Sequence, residues 1–291
     1  LILNIFEITF PIFAIAILGF IYSKYARPDF AGANKFVMDV ALPLLVFVSL
    51  SSKNFDPATA AAFTGAAILL MLTCWLIAVP LTRFSGVSKA AFLPLVMFAN
   101  VGPVGIPLIA LAYGDGGLVY SVILLVVSNL LHFTLGVMSM SGKVDWRMIY
   151  ASPLVWASVL GILSGMIGVE IPSTLMTTLT MIGNVLVPLM LVSLGARLAT
   201  STVSDASVGF RASSLAIVTR VIAAYLIILL MPLSDIERGA LILFAFLPPA
   251  VFNFMIADKF HVEPQLVAST VIVGHMLGIL CLPLGLWLAF V

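Results

Sequence analysis

The chain has 291 residues, of which 63% are hydrophobic and only 9% are charged, and its mean hydropathy is +1.25. This composition is far more apolar than that of a soluble domain and indicates a membrane protein surrounded by lipid. The 13 Lys and Arg residues nearly balance the 12 Asp and Glu residues, so the sequence gives no indication of a nucleic-acid partner. Cys74 and Cys281 lie in apolar runs, and we expect them to be packing thiols.

A helix that crosses a bilayer needs about 20 mostly apolar residues. The sequence predicts ten such spans with short connections between them, which leaves no loop long enough to fold as a soluble domain. We expect the first apolar run to be a span and not a removable signal peptide, because no basic leader precedes it. The predicted spans are 4–23, 36–52, 59–82, 90–112, 117–140, 150–168, 174–196, 211–231, 238–257 and 264–290.

The cationic residues between the spans predict the orientation of the chain. Ten fall on one side of the membrane, namely Lys24, Arg27, Lys35, Arg83, Lys89, Lys143, Arg147, Arg197, Arg211 and Lys259. Only Lys53 and Arg238 fall on the other side. Because cytoplasmic loops are enriched in Lys and Arg, we expect both termini on the non-cytoplasmic side.

The sequence contains a weak internal repeat. Pro43 in the second span and Pro188 in the seventh are separated by 145 residues, and so are Pro103 in the fourth span and Pro248 in the ninth. Two independent features at one offset predict that the two halves have related folds. Prolines are also common in membrane helices, which is the alternative explanation for the two matches.

Each half holds five spans, an odd number, so the second half would enter the membrane with opposite polarity. The predicted fold is therefore an all-α membrane protein with ten transmembrane helices in a 5+5 inverted repeat. Residues 1–141 would form the first repeat and residues 142–291 the second. The fourth and ninth helices are expected to be broken and to cross each other.

The fourth span is broken between Phe98 and Leu108. Pro103 and Pro107 remove backbone donors, while Gly102 and Gly105 add conformational freedom. Exposed peptide groups inside a bilayer cost several kcal/mol each, so such a break is tolerated only where it faces protein or a wet cavity. A discontinuous membrane helix therefore indicates a binding site.

Each break creates a half-helix whose starting end carries about half a positive elementary charge and unpaired amide donors. Such ends, expected near Ile106 and Ala250, are suited to an anion. Asn100 and Asn253 can add amide donors, or can merely cap the broken ends. The predicted substrate-binding residues are Asn100, Gly102, Pro103, Gly105, Ile106, Pro107, Pro248, Pro249 and Asn253.

Three further residues are candidates for ion or charge coupling: Asp39, Arg220 and His275. Arg220 lies in the middle of a span, where it can attract an anion or neutralise the negative ends of the half-helices. Asp39 can be a cation or proton site, or a solvated carboxylate at a helix start. His275 and His132 can each carry a proton near neutral pH, or be hydrogen-bonded residues of the core.

The run from Asn100 to Leu108, followed by Tyr113 and Gly114, resembles the Asn-x4-Gly-Ile-Pro-Leu break of the auxin efflux carrier family. The ninth span and the proline-bearing spans two, seven and ten are similar to that family too, and Arg220 falls where plant members have an arginine. The resemblance implies a fold shared with bile-acid symporters and sodium/proton antiporters. It also implies a scaffold of spans 1, 2, 6 and 7, a moving transport domain of spans 3–5 and 8–10, and a homodimer through the scaffold.

The chain departs from the plant pattern in two places. The long cytoplasmic loop of many plant carriers is reduced to about Ser141–Arg147, and Asn253 stands where plant members carry a second proline. These differences put auxin itself in doubt. Compact bacterial members are associated with carboxylates such as malonate and malate, and the chain looks like one of those, in a bacterial inner membrane.

We therefore expect a secondary transporter of a small organic anion that works by elevator-type alternating access. The alternatives are a passive uniporter or channel for organic anions and, further away, a carboxylate-binding membrane receptor. No enzyme is expected, because the sequence has no paired carboxylates at catalytic spacing, no triad and no phosphate loop. We expect no cofactor and no metal, and the coupling ion, if there is one, is either H⁺ or Na⁺.

Overall fold

A computed structural model gives the structure of the protein and describes residues 2–51, 57–200 and 203–291. These residues are almost entirely helical, with three π-helical turns at Val37–Ala41, Val101–Gly105 and His132–Gly136. Lys53, which the charge count uses, lies outside them. The helices are α1 (Ile2–Ala26), α2 (Ala31–Phe36), α3 (Leu42–Leu50), α4 (Pro57–Ser85), α5 (Lys89–Met97), α6 (Ile106–Leu131), α7 (Val137–Ser141), α8 (Arg147–Tyr150), α9 (Pro153–Ile167), α10 (Ser173–Gly183), α11 (Leu186–Thr200), α12 (Ala206–Leu230), α13 (Asp235–Phe246), α14 (Phe252–Lys259) and α15 (Pro264–Phe290).

Seven helices in the described part of the chain are long and apolar enough to cross a membrane. They are Ile2–Ala26, Ala31–Leu50, Thr59–Ser85, Val101–Ser141, Ser173–Thr200, Ala206–Leu230 and Pro264–Phe290. The difference from ten predicted spans has a local cause. The predicted spans 90–112 and 238–257 are interrupted and so yield short pieces, while α9 is an apolar helix of only 15 residues.

The longest of these helices, Val101–Ser141, is not one straight rod. Its backbone leaves the helical region at Gly114, where φ is 64° and ψ is −149°, a conformation that glycine adopts readily. The chain folds back there: a Cβ at Gly102 would lie 3.6 Å from Leu125, and the Ser139 hydroxyl donates to the Ala90 carbonyl oxygen at 3.2 Å. Residues on the two sides of Gly114 therefore form two neighbouring arms.

The helices pack in two groups. In the first, α1 packs along α11, and α3 packs against α9 and α10. Gly19 and Gly195 allow the close approach of α1 and α11, because a Cβ on either would collide with the backbone of the other helix. In the second group, α12 packs against α4, α5, α13 and α15. Contacts between the two groups include those of α1 with α6 and α15 and those of α11 with the turn Val101–Gly105.

Large apolar side chains cover both the interior and the surface, as expected for a protein in lipid. For example, the exposed fractions of Leu229 and Leu230 are 80% and 77%. The informative exceptions are therefore the large polar side chains that are buried. Five of them are Asn100, His132, Arg220, Asn253 and His275. All five contact the two interrupted helices or residues paired with them, which locates the candidate site.

Candidate functional site

The first interruption separates α5 from the turn Val101–Gly105. Helix α5 ends at Met97, and Phe98 is extended, with φ −114° and ψ 106°. Asn100 precedes the new helix and has φ −79° and ψ 66°. The Val104 and Gly105 amides both donate to the Asn100 carbonyl oxygen, at 3.3 and 3.1 Å, which starts the second half-helix in the π form.

The second interruption separates α13 from α14. Helix α13 begins with a capping box in which Ser234 and Glu237 satisfy each other's backbone amides, a standard way of fixing a helix start. It ends at Phe246, and Leu247 is extended, with φ −63° and ψ 148°. Pro248 and Pro249 follow, and neither has a backbone N–H with which to continue the helix.

The two interruptions contact each other through their backbones. The Asn100 amide donates to the Pro248 carbonyl oxygen at 2.8 Å, and the Ala250 amide donates to the Phe98 carbonyl oxygen at 2.9 Å. These two bonds form an isolated antiparallel bridge centred on Ala99 and Pro249. Peptide groups released by one break are thus satisfied by the other, which removes much of the cost of unpaired backbone in a membrane.

Arg220 of α12 binds the ends of both half-helices that lead into the breaks. Its Nε donates to the Ala245 carbonyl oxygen at 3.2 Å and one terminal nitrogen to that of Leu247 at 2.6 Å. The other terminal nitrogen reaches the Leu95 carbonyl oxygen of α5 at 3.5 Å. The side chain is fully buried. Carbonyl oxygens at a helix end carry partial negative charge, so Arg220 neutralises these ends.

Three backbone amides at the starts of the following half-helices make no hydrogen bond to any described residue: those of Gly102, Val251 and Phe252. They are the donors that a helix start offers. The amides of Gly105 and Ile106, which the sequence analysis offered to a ligand, are instead used within the helix. They donate to the carbonyl oxygens of Asn100 and Val101. The half-helix begins at Val101, about five residues earlier than expected near Ile106, because the π turn starts directly after Asn100.

The two predicted asparagines are buried at the breaks and make different bonds. Asn253 Nδ2 donates to the Phe98 carbonyl oxygen at 3.3 Å, and its Oδ1 has no hydrogen-bond partner among the described residues. Asn100 Nδ2 lies 2.8 Å from Nε2 of His275. Each carboxamide therefore has one N–H in use within the protein.

The two buried histidines contact different residues of these breaks. His275 Nδ1 is 2.7 Å from the Val271 carbonyl oxygen. The His132 ring stacks on Phe98, with centroids 4.1 Å apart, and meets Phe252 edge-on at 5.0 Å. Its Nε2 makes no hydrogen bond of normal geometry in the described part of the chain, but the Asn253 side chain lies near enough to interact with the ring. Sequence reasoning left His132 as either a proton carrier or a hydrogen-bonded core residue and did not place it at the breaks. The signal that connects it to His275 is their separation of 143 residues, close to the repeat offset.

The remaining predicted residues divide between the site and the surface. Pro248 contributes its carbonyl oxygen and Pro249 its place in the bridge, while Pro103 and Pro107 lie in the first turns after Asn100. Asp39 lies elsewhere, on the turn Val37–Ala41, where its carboxylate is 2.9 Å from Lys35 Nζ and 47% exposed. No group of three or more His, Cys, Asp and Glu residues that could hold a metal occurs within 2–51, 57–200 or 203–291.

Sequence reasoning expected free amides near Ala250 and offered Arg220 as a cation that neutralises the half-helix ends, but it did not identify the individual peptide groups. The carbonyl oxygens bound by Arg220 and the free amides of Val251 and Phe252 are peptide groups, which any residue type can supply. The only sequence signal for them is the pair of prolines at Pro248 and Pro249, which ends one helix and sets where the next can start.

Comparison with known proteins identifies the family of the chain. The sequence profile of the family described as membrane transport protein matches residues 4–145 and 137–286. An uncharacterized transporter of Methanothermobacter thermautotrophicus is 25% identical over 298 residues, which cover 96% of each chain. The uncharacterized transporter YfdV of Escherichia coli is 22% identical over 301 residues, again 96% of each chain. The chain is therefore an integral membrane protein and belongs to the membrane transport protein family, the auxin efflux carriers that its fourth-span motif resembles.

Proposed function

We propose that the protein is a secondary transporter of a small organic anion and works by elevator-type alternating access. The observation that carries the proposal is that the four helix ends at the breaks differ in their partners: the two carbonyl ends are bound by a cation, and the two amide ends keep free donors. Arg220 binds the carbonyl ends of α5 and α13, while the amide ends that follow keep free donors at Gly102, Val251 and Phe252.

The charges of these helix ends can be compared directly. Two carbonyl ends of about −0.5 each are matched by the single positive charge of Arg220. For the two amide ends of about +0.5 each, no carboxylate is found hydrogen-bonded to the amides of Gly102, Val251 or Phe252 among the described residues, and residues 89–114 and 239–257 contain no Asp or Glu. A bound carboxylate would supply the missing negative charge and would accept from the free amides.

The proposed transport motion uses the two packing groups of the fold. We infer ten spans in a 5+5 inverted repeat, with the fourth and ninth crossing at the antiparallel bridge. Spans 1, 2, 6 and 7 correspond to α1 and α11 with α3, α9 and α10, and would be the scaffold. The remaining spans would move as the transport domain. In support of this motion, the turn Val101–Gly105 packs against α11, so the site lies at the boundary between the groups.

The proposed substrate is a carboxylate of the size of malonate or malate, with an auxin-like acid as the larger alternative. The excess of cationic residues between the spans on one side supports an orientation with both termini outside the cytoplasm. For a bacterial chain this would be the inner membrane.

The test is binding of malonate to the purified protein, with malonamide as the uncharged analogue of similar shape. We expect malonate to raise the unfolding temperature and malonamide to have no effect, because the amide ends recognise negative charge. Asn100→Ala should weaken malonate binding by about tenfold, the cost of one hydrogen bond to a charged group. Asn184→Ala, at an exposed turn asparagine, is the matched control and should bind malonate normally.

Equal stabilisation by malonate and malonamide, repeated with malate and with indole-3-acetate and their amides, would contradict the proposal. Reconstituted protein distinguishes a carrier from a channel. A carrier shows saturable uptake and counterflow of the bound acid, whereas a channel shows neither.

A further inference from the structure

We propose that His275 and Asn100 form a proton-operated switch, in which protonation of His275 turns the Asn100 carboxamide and frees both of its N–H groups for the bound anion. The proposal rests on the proposed function, since it assigns a proton as the ion that accompanies the anion. We refer to these two side chains and the Val271 carbonyl group as the His275 switch.

The bonds of His275 determine which of its nitrogens carries the proton. The Val271 carbonyl oxygen can only accept a hydrogen bond, so Nδ1, 2.7 Å away, must donate to it. A neutral imidazole has one N–H, and Nε2 is therefore an acceptor. It receives an N–H from Asn100 Nδ2 at 2.8 Å. In this state the amide nitrogen of Asn100 faces His275.

Protonation reverses the role of Nε2. An imidazolium donates from both nitrogens, and two donors, Nε2 and Asn100 Nδ2, would then face each other across 2.8 Å. Rotation of the carboxamide by half a turn removes the conflict, because Oδ1 then accepts from Nε2. The NH₂ group moves to the opposite end of the carboxamide, where an anion at the free Gly102 amide can accept from it.

The buried position of His275 couples the two events. The residue is 7% exposed, and a buried charge without a partner is strongly disfavoured. An anion at the breaks supplies the compensating charge, so proton and anion bind more tightly together than either does alone. This coupling is reciprocal: lower pH favours the anion, and the anion favours the proton.

Few other charged groups lie at the depth of His275. The positive charge of Arg197 on α11 repels a positive charge on His275. Arg220 is hydrogen-bonded to three carbonyl oxygens. The other ionisable residues on the helices packed against α15 lie within two turns of a helix end. They are Glu7, Tyr22, Lys24, Tyr25, Lys89, Arg211, Tyr225, Asp235, Glu237, Arg238, Asp258 and Lys259. On α15 itself, Cys281 is the other titratable group.

The helix that carries His275 also contacts the second break. Gly274, next to His275 in the sequence, lies against Pro249, and a Cβ there would be 2.5 Å from Pro249 Cδ. Helix α15 thus contacts the second interruption through Gly274 and the first through His275. The two contacts connect His275 to both breaks.

The experiment is calorimetric titration of malonate, malate, lactate and indole-3-acetate into purified protein in two buffers of different ionisation enthalpy. We expect the wild type to take up protons on binding, and its affinity to rise by up to about tenfold per pH unit as the pH falls. His275→Gln should keep the bond to Asn100 and bind the anion, but with no proton uptake and no pH dependence. His261→Gln, at an exposed histidine, should behave as the wild type.

Asn100→Ala is the second variant, and it should also lose proton uptake, because His275 then has no carboxamide to turn. Anion binding by the wild type without proton uptake would overturn the switch and leave the proposed function intact. Proton uptake that persists in His275→Gln would overturn it as well. If none of the four acids binds at any pH, the proposed function fails and the switch fails with it.

Discussion

The two helix interruptions carry similar residues but use them differently. At the first, Asn100 bonds a side chain of another helix, His275 of α15. At the second, Asn253 bonds a backbone group, the Phe98 carbonyl oxygen of the opposite break. The first break continues into a π-helical turn at Val101, whereas the second reaches a regular helix at Phe252.

This difference indicates a division of roles. A backbone carbonyl oxygen always accepts, so the bond to Phe98 fixes the orientation of the Asn253 carboxamide, although this side chain also lies near His132. An imidazole can accept or donate, so Asn100 has two. The second break is therefore the fixed half of the site and the first is the adjustable half. Two similar interruptions of the backbone thus support side chains that are not equivalent.

The largest effect on stability should come from Arg220, which binds carbonyl oxygens at both breaks. Arg220→Met keeps most of the volume but leaves the carbonyl ends of α5 and α13 without a cation, and we expect a loss of about 3–5 kcal/mol of stability. Thermal unfolding of the purified protein measures it. Arg211→Met, at an exposed arginine of the same helix, should change little. Equal stability of the two variants would show that the helix ends do not need neutralisation.

Replacement of either asparagine by aspartate should have a different effect at each of the two breaks. Asn100→Asp and Asn253→Asp both place a negative charge at the free amides, so each should weaken malonate binding by more than tenfold. Only Asn253→Asp should also lose stability, by about 1–3 kcal/mol, because its carboxylate then faces the Phe98 carbonyl oxygen. Asn100→Asp can instead pair with a protonated His275. Binding titrations and thermal unfolding check both expectations, and a stable Asn253→Asp would contradict the division of roles.

The smallest effect should come from His132. Its Nε2 makes no hydrogen bond of normal geometry among the described residues and interacts only weakly with Asn253, while its ring contacts Phe98 and Phe252. His132→Phe keeps these ring contacts and removes a buried unpaired polar atom, so thermal stability and the pH dependence of binding should stay close to the wild type. His275→Phe, the matched change at the other histidine, should abolish the pH dependence. If His132→Phe lost the pH dependence of binding, the proton would be carried by His132, and the His275 switch would be contradicted.

Much of the site follows from local rules that act within a few residues. Pro103, Pro248 and Pro249 cannot continue a helix, and the apolar runs around them are long enough to cross a membrane. The sequence therefore determined the membrane class, the family resemblance and the positions of both interruptions. The structural role offered for Arg220 as one of two alternatives also followed from its depth in a span.

The tertiary structure decided which groups at the breaks are free and which are used. Arg220 reaches carbonyl oxygens up to 125 residues away in the sequence, and Asn100 reaches a histidine 175 residues away. Bonds over such separations depend on how helices pack, which no pattern of neighbouring residues specifies. At the first break the open amide is that of Gly102 and not those of Gly105 or Ile106, because the π turn begins directly after Asn100. The sequence determined where the helices break, and only packing determined what each broken end binds.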